Sequence, residues 1–378
     1  MIKAVFLDMD NTLLLNPDKV FAQRFLSLWD DFLSAEGISD ASQRFRNAIR
    51  IMGHAQRGNS SNWAVTVREM GNDVTDTEAL LRRFYAEVYP ELASCIAPVD
   101  GAADLIYRLR EEDYLVVIAT NPIYPESAIQ QRMAWAGLPT EDGIYEFISS
   151  ADTMHFAKPD PCYYGELLAR VGIEPDEALM VGDSMGNDIR PAQTVGLRTF
   201  HIGEAGLTNF MAQVSERLDD TQPIVLRPDM IQPQLRGNIG ALYGLAESVE
   251  ADMWHKRPDP DEWSILQIMC HLVTFEDENE RARLATILQE ENPFIIQPAE
   301  PGPDIEAYSD NGFAVAQEFL EKREETLALI NQFTLEDWQR PARHSIFGLT
   351  TMVEMAYFTA QHDRLHLKQL CQTIGRCK

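Results

Sequence analysis

Short apolar runs rich in β-branched residues recur along the first part of the chain: IKAVFLD at 2–8, YLVVIATN at 114–121, EFISSAD at 146–152, ALMVGDS at 178–184 and RTFHI at 198–202. Helical periodicity fills the intervals, as in GAADLIYRLREE at 101–112 and PCYYGELLARVG at 161–172. Strands alternating with helices predict an α/β fold, a doubly wound parallel sheet covered on both faces. Between the first two strands, about 16–98 reads almost wholly as amphipathic helix, for example PDKVFAQRFLSLWDDFLSAEG at 17–37. This predicts a helical cap inserted directly after the first strand.

Near 220 the pattern changes. DDTQPIVLRPDMIQPQ carries Pro223, Pro228 and Pro233 and suits a linker, after which no strand series is evident. Helical patterns at about 233–252, 262–290, 309–332 and 348–374 predict an all-α four-helix bundle. The proline-rich stretch at 291–310 is expected to be a crossover loop. The expected division is 1–220 for the sheet domain with its cap, 221–232 for a linker and 233–378 for the bundle.

Composition narrows the functional classes. With 32 basic against 59 acidic residues the net charge is -27, which argues against a partner held by phosphate neutralisation along a nucleic acid. A small phosphorylated substrate remains compatible, because one lysine and a metal ion reverse the potential inside a single pocket. Five scattered cysteines form no CxxC and are read as mostly buried thiols of a reducing compartment. No apolar stretch approaches the length of a membrane span and no cleavage site follows the first strand, so a soluble cytoplasmic protein is expected.

The candidate chemistry lies where parallel strands should end. Asp8 and Asp10 sit two residues apart, where an alternating strand would put both on one side, and like charges that close need a cation between them. Thr120 and Asn121 close VVIATN, Lys158 stands in AKPDP, and Gly182, Asp183 and Asp188 stand in VGDSMGND. Carboxyl ends of strands are where open α/β sheets bind ligands. Two carboxylates, a hydroxyl, a lysine and a hard cation are what phosphoryl transfer requires of a protein.

The order and wording of these four motifs resemble the haloacid dehalogenase-like hydrolase superfamily over about 1–210. The resemblance implies a Mg²⁺-dependent hydrolase of a small phosphomonoester. Asp8 would be the nucleophile and Asp10 the general acid and base, while Asp8, the Asp10 carbonyl and Asp183 would hold Mg²⁺. Thr120, Asn121 and Lys158 would bind the phosphoryl group. Asp188 either backs the metal-binding residues or opens the helix that follows. The aspartate at position 10 points to the phosphatase branch rather than the dehalogenases, and the cap position to the subgroup with a helical cap. Asn11 stands where that family usually has glycine.

A second constellation lies in the bundle. AQHDRLHLKQL sets His362 and His366 at i and i+4 on one helix face, and His271 lies on a helix opened by a Ser264–Gln267 capping box. Three imidazoles could hold a divalent ion such as Zn²⁺ or Ni²⁺ with open positions for water or a thiolate. Asp363 is expected to point off the shared face. WSILQIMCHL, EFLEKREETLALI and the segment at 344–370 resemble the DinB-like four-helix bundles, which implies His271, His362 and His366 as a metal triad. That family includes transferases using a low-molecular-weight thiol. This leaves an alternative in which the bundle carries the main activity, and another in which it serves as a dimerisation or packing module. His54, His155, His201, His255 and His344 match no motif and are expected on surfaces or loops.

Overall fold

The computed structural model describes residues 1–16, 18–53, 58–71, 76–219, 222–296 and 311–378, so His54 and most of the proline-rich loop, 297–310, lie outside the described residues. The chain forms two compact units, Met1–Tyr163 with Glu174–Ile224, and Tyr164–Ile173 with Val225–Lys378. Tyr164–Ile173, expected with the sheet domain, is thus grouped with the second unit. There a Cβ on Gly237 would meet Gly165 Cα at 2.8 Å, so the two backbones approach too closely for any side chain.

In the first unit β1 (Ala4–Leu7) is followed by a short β2 (Leu14–Leu15) and four cap helices, α1 (Asp18–Ala35), α2 (Ala41–Met52), α3 (Asn62–Met70) and α4 (Thr77–Glu87). The cap closes where β3 (Ala97–Pro98) pairs antiparallel with β2. Its interior is aromatic: Phe25 stacks on Trp29 at 5.5 Å, and Phe84 meets Trp29 edge-on at 4.8 Å. Then come α5 (Ala102–Glu111), β4 (Leu115–Ile118), α6 (Glu126–Trp135), β5 (Phe147–Ile148), α7 (Pro161–Val171), which from Tyr164 on belongs to the second unit, β6 (Ala178–Gly182), α8 (Arg190–Thr194), β7 (Arg198–His201) and α9 (Leu207–Leu218).

The five expected strands form one parallel sheet in the order β5-β4-β1-β6-β7. Every residue of β1 is buried, as its unbroken apolar run requires of a central strand covered on both faces. Leu7 pairs with Ile118 on one side and Val181 on the other. This register brings the ends of β1, β4 and β6 level, and with them the residues that follow each strand.

The second unit packs α10 (Ile231–Glu247), α11 (Ile265–Phe275), α13 (Gly312–Ile330) and α14 (Met352–Cys377) against one another, with α12 (Arg281–Gln289) continuing α11 through a π-helical turn at Glu276–Glu280. Two expectations are corrected here. The first bundle helix starts at Ile231, inside the expected linker 221–232, so that Pro233 falls in its first turn, where its missing N–H removes no helical bond. A small sheet is also present: β8 (Phe294–Ile295) runs parallel to β9 (Pro341–His344), which pairs antiparallel with β10 (Gly348–Thr351). The last helix accordingly starts at Met352, after a capping box between Thr351 and Glu354.

Among the described residues no helix is long and apolar enough to cross a membrane. None of the five cysteines is disulfide-bonded; Cys162 and Cys270 are buried but Cys371 is exposed.

Candidate active site and a histidine cluster

Asp8 leaves the end of β1 into a tight turn in which Met9 O accepts from the N–H groups of Thr12, Leu13 and Leu14. Asn11 adopts φ +58° there, a left-handed conformation that asparagine tolerates better than most side chains, which accounts for its standing in place of glycine. Lys158 Nζ donates to Asp8 Oδ1 at 2.8 Å and to Asp188 Oδ1 at 2.5 Å, while Thr12 Oγ1 donates to Asp8 Oδ2 at 3.2 Å. Asp188 is held in turn by the Ser184 N–H at 2.9 Å. Burial pushes the Asp8 carboxyl up to about 6; Lys158 opposes the rise, and Asp188 and Asp183 add to it.

Carboxylate oxygens of Asp8, Asp183 and Asp188 lie within 4.8 Å of one another. Three hard oxygen donors this close, one of them reluctant to ionise unaided, fit a Mg²⁺-like cation, which when bound would offset their repulsion and stabilise phosphoryl charge. The Asp10 side chain stands apart from that cluster. It accepts from Asn16 Nδ2 at 2.7 Å and forms an ion pair with Arg132. Arg132, on α6, is buried, and burial pulls its guanidinium down to about 9.

Asp8, Asp10, Asn121, Arg132, Lys158 and Asp183 line one cavity of about 320 Å³. Asn121 Oδ1 is buried there without a hydrogen-bond partner among the described residues. Thr120 does not line the cavity; it is buried, and its carbonyl accepts from Ser149 Oγ at 2.8 Å and from the Tyr163 hydroxyl at 2.9 Å. Arg132 and Asn16 were not legible in the sequence. An arginine among the buried residues of a short helix reads as an ordinary surface charge.

In the second unit His271 on α11 and His362 and His366 on α14 bring ring nitrogens within 4.8 Å of one another, with His271 Nε2 and His362 Nε2 3.3 Å apart. Gln369 Oε1 lies 2.9 Å from His366 Nδ1, a contact that fixes the orientation of that ring. His362 stacks on Phe275 at 3.5 Å, and its Nδ1 is buried without a hydrogen-bond partner among the described residues. Burial, then mutual repulsion, holds His271 down to about 4 and His362 to about 2. Neutral imidazoles of this kind fit a divalent transition metal, which would supply a Lewis-acidic position.

Asp363 turns away from the triad to Arg323 at 2.8 Å and Asn238 at 2.9 Å, and Arg323 also donates to Glu276 at 2.8 Å. Of the other histidines, His155 is buried in a loop, whereas His344 is buried at the end of β9 rather than on a surface or loop. His255 is exposed. His201, exposed at the end of β7, places its Nε2 2.7 Å from the Asp183 carbonyl.

The family description of haloacid dehalogenase-like hydrolases matches residues 2–196, and that of the DinB superfamily matches 234–370. A phosphoglycolate phosphatase of Rhodospirillum rubrum is 34% identical over 126 residues, 33% of this chain and 49% of its own. A glyceraldehyde 3-phosphate phosphatase of Pyrococcus furiosus is 32% identical over 103 residues, 27% of this chain and 40% of its own. The chain therefore spans about half the length, or less, of these curated relatives. Among solved structures, a HAD phosphatase of Thermococcus onnurineus is 23% identical with a TM-score of 0.37, the match covering 57% of this chain and 98% of that one. The chain belongs to the haloacid dehalogenase-like hydrolase family and carries a DinB superfamily domain after the hydrolase domain.

Proposed function

We infer that the protein is a Mg²⁺-dependent phosphatase of a small phosphomonoester, working through an aspartyl-phosphate on Asp8. The observation that carries this reading is the Asp8 carboxylate held by Lys158 and Thr12 in the wall of a cavity shared with Asp10 and Asp183. An Asp8 oxygen attacks phosphorus as the ester oxygen departs, and Asp10 gives that oxygen its proton. Asp10 then takes a proton from water, whose oxygen attacks phosphorus and releases inorganic phosphate and the Asp8 carboxylate. Lys158, with Asn121 after β4, holds the phosphoryl oxygens, and Asp188 keeps Lys158 in place. A cavity of about 320 Å³ suits a substrate of a few carbons, as do the relatives named for phosphoglycolate and glyceraldehyde 3-phosphate.

The test is hydrolysis of phosphoglycolate, glyceraldehyde 3-phosphate and other phosphomonoesters, with and without Mg²⁺. Turnover is expected to need Mg²⁺ and to fall at least about a thousandfold in Asp8→Asn, as expected for loss of a nucleophile. Activity that survives Asp8→Asn would sink the reading.

A second reading is favoured by the converging neutral histidines. The bundle would then hold a divalent transition metal, Zn²⁺ or Ni²⁺, and act as a thiol-dependent transferase beside the hydrolase. A metal that copurifies and is lost in His271→Ala, with no phosphomonoester turned over, would make this the main activity.

A further inference from the structure

We propose that Arg132 is a positioning residue that holds the Asp10 carboxylate for proton transfer, together with Asn16 at the entrance to the cap. The inference rests on the aspartyl-phosphate reading above. Arg132 lies on α6, outside the four motifs, and its side chain is only 1% exposed. Burying a guanidinium is costly unless a counter-charge meets it, and among the described residues its ion-pair partner is Asp10. Aromatic faces make the burial tolerable: the guanidinium carbon lies 5.0 Å from the Phe21 ring centre and 5.9 Å from that of Tyr124. Phe21 belongs to α1, so the first cap helix forms part of the arginine's surroundings.

Arg132 Nη2 and Asn16 Nδ2 donate to the same atom, Asp10 Oδ1. Two donors on one oxygen fix the plane of the carboxylate. Oδ2, which accepts no hydrogen bond among the described residues, is left for the cavity that Asp10 lines. Asn16 follows β2 at the base of the cap, and its own N–H donates to Asn11 Oδ1 at 3.1 Å. The clamp thus joins a core helix, the turn after β1 and the cap entrance at one oxygen. Its task is to aim the proton-transferring oxygen.

Aim matters most when the departing oxygen is a poor leaving group. The alkoxide of an alkyl phosphomonoester needs a proton during phosphorus–oxygen cleavage, whereas 4-nitrophenolate leaves 4-nitrophenyl phosphate without one. The value of kcat/KM reports the steps up to the aspartyl-phosphate, so it isolates this proton transfer. Arg132→Met, Arg132→Lys and Asn16→Ala are compared with wild type on 4-nitrophenyl phosphate and on the best alkyl ester of the panel above. In Arg132→Met, kcat/KM is expected to fall about a hundredfold on the alkyl ester and less than about threefold on the aryl ester. Arg132→Lys, which keeps the charge but not the fork, falls between, and Asn16→Ala shows the same dependence at smaller size.

Equal losses on both esters in Arg132→Met would overturn the proposal, since a merely structural role lowers both alike. So would unchanged turnover of the alkyl ester. Should Arg132→Met fail to fold, the same comparison in Arg132→Lys and Asn16→Ala decides. Asp8→Asn is assayed alongside: activity retained there overturns the aspartyl-phosphate reading, whereas its loss there with equal losses in Arg132→Met overturns the positioning role alone.

Discussion

A Cβ on Gly182 would sit 2.4 Å from Asp188 Oδ2, so the last residue of β6 must lack a side chain if Asp188 is to reach Lys158. Gly182→Ala would therefore displace the carboxylate that holds the lysine. We expect it to destabilise the first unit by about 1–3 kcal/mol and to lower kcat/KM at least tenfold on the order of a mispositioned catalytic group, read by thermal melts and the Mg²⁺-dependent assay. A variant with full activity and stability would show that the site accommodates the methyl group. The residue types were legible at this scale, because glycine and aspartate in VGDSMGND stand at the end of an apolar run. The contact that makes the glycine necessary was not. It depends on the chain folding back at Ser184, whose side chain accepts from the Asn187 N–H at 3.1 Å and whose own N–H binds Asp188.

Among the elements, the long helical pattern at 262–290 conceals the π-helical turn between α11 and α12. Its acidic run EDENE reads as a solvated face, yet Glu276 and Glu280 are buried. Glu276 and Asp363 both meet Arg323, whose side chain is fully buried, and Glu280 meets Arg283 at 2.7 Å. Removing one partner from such a network strands the others in low dielectric. Arg323→Met should cost about 3–5 kcal/mol, measured by urea unfolding, and adding Glu276→Gln and Asp363→Asn should return part of that loss. A single variant as stable as wild type would mean that water reaches the stranded carboxylates. Periodicity registers how apolar a position is; it does not register an opposite charge on another helix, which is why these residues and the β9–β10 hairpin escaped the sequence reading.

For the molecule as a whole, pH separates the two units. Asp8 has its folded pKa raised from 3.8 to about 6, so its contribution to stability is fully present below the unfolded value and lost as pH rises through 6. His271 and His362 have folded values lowered from 6.5 to about 4 and about 2, so their contribution is present above 6.5 and lost as pH falls. In metal-free protein, taking the pH from 7 to 5 should stabilise the first unit through Asp8 and destabilise the second through the triad. Calorimetry of the full chain checks this: Asp8→Asn should remove the first response, and His362→Gln should flatten the second. Variants with wild-type pH slopes would refute the assignment. By itself the sequence determined that the candidate chemistry, Asp8 then Lys158 then Asp183 along the chain, follows strand ends, and that the last helix has a histidine face, because apolar periodicity and i,i+4 spacing are local properties of the chain. Only the tertiary structure decided that Arg132 meets Asp10 across 122 positions and that Arg323 meets Asp363 across 40. Those pairings follow from how the packed elements bring distant side chains together, and no local pattern encodes that distance.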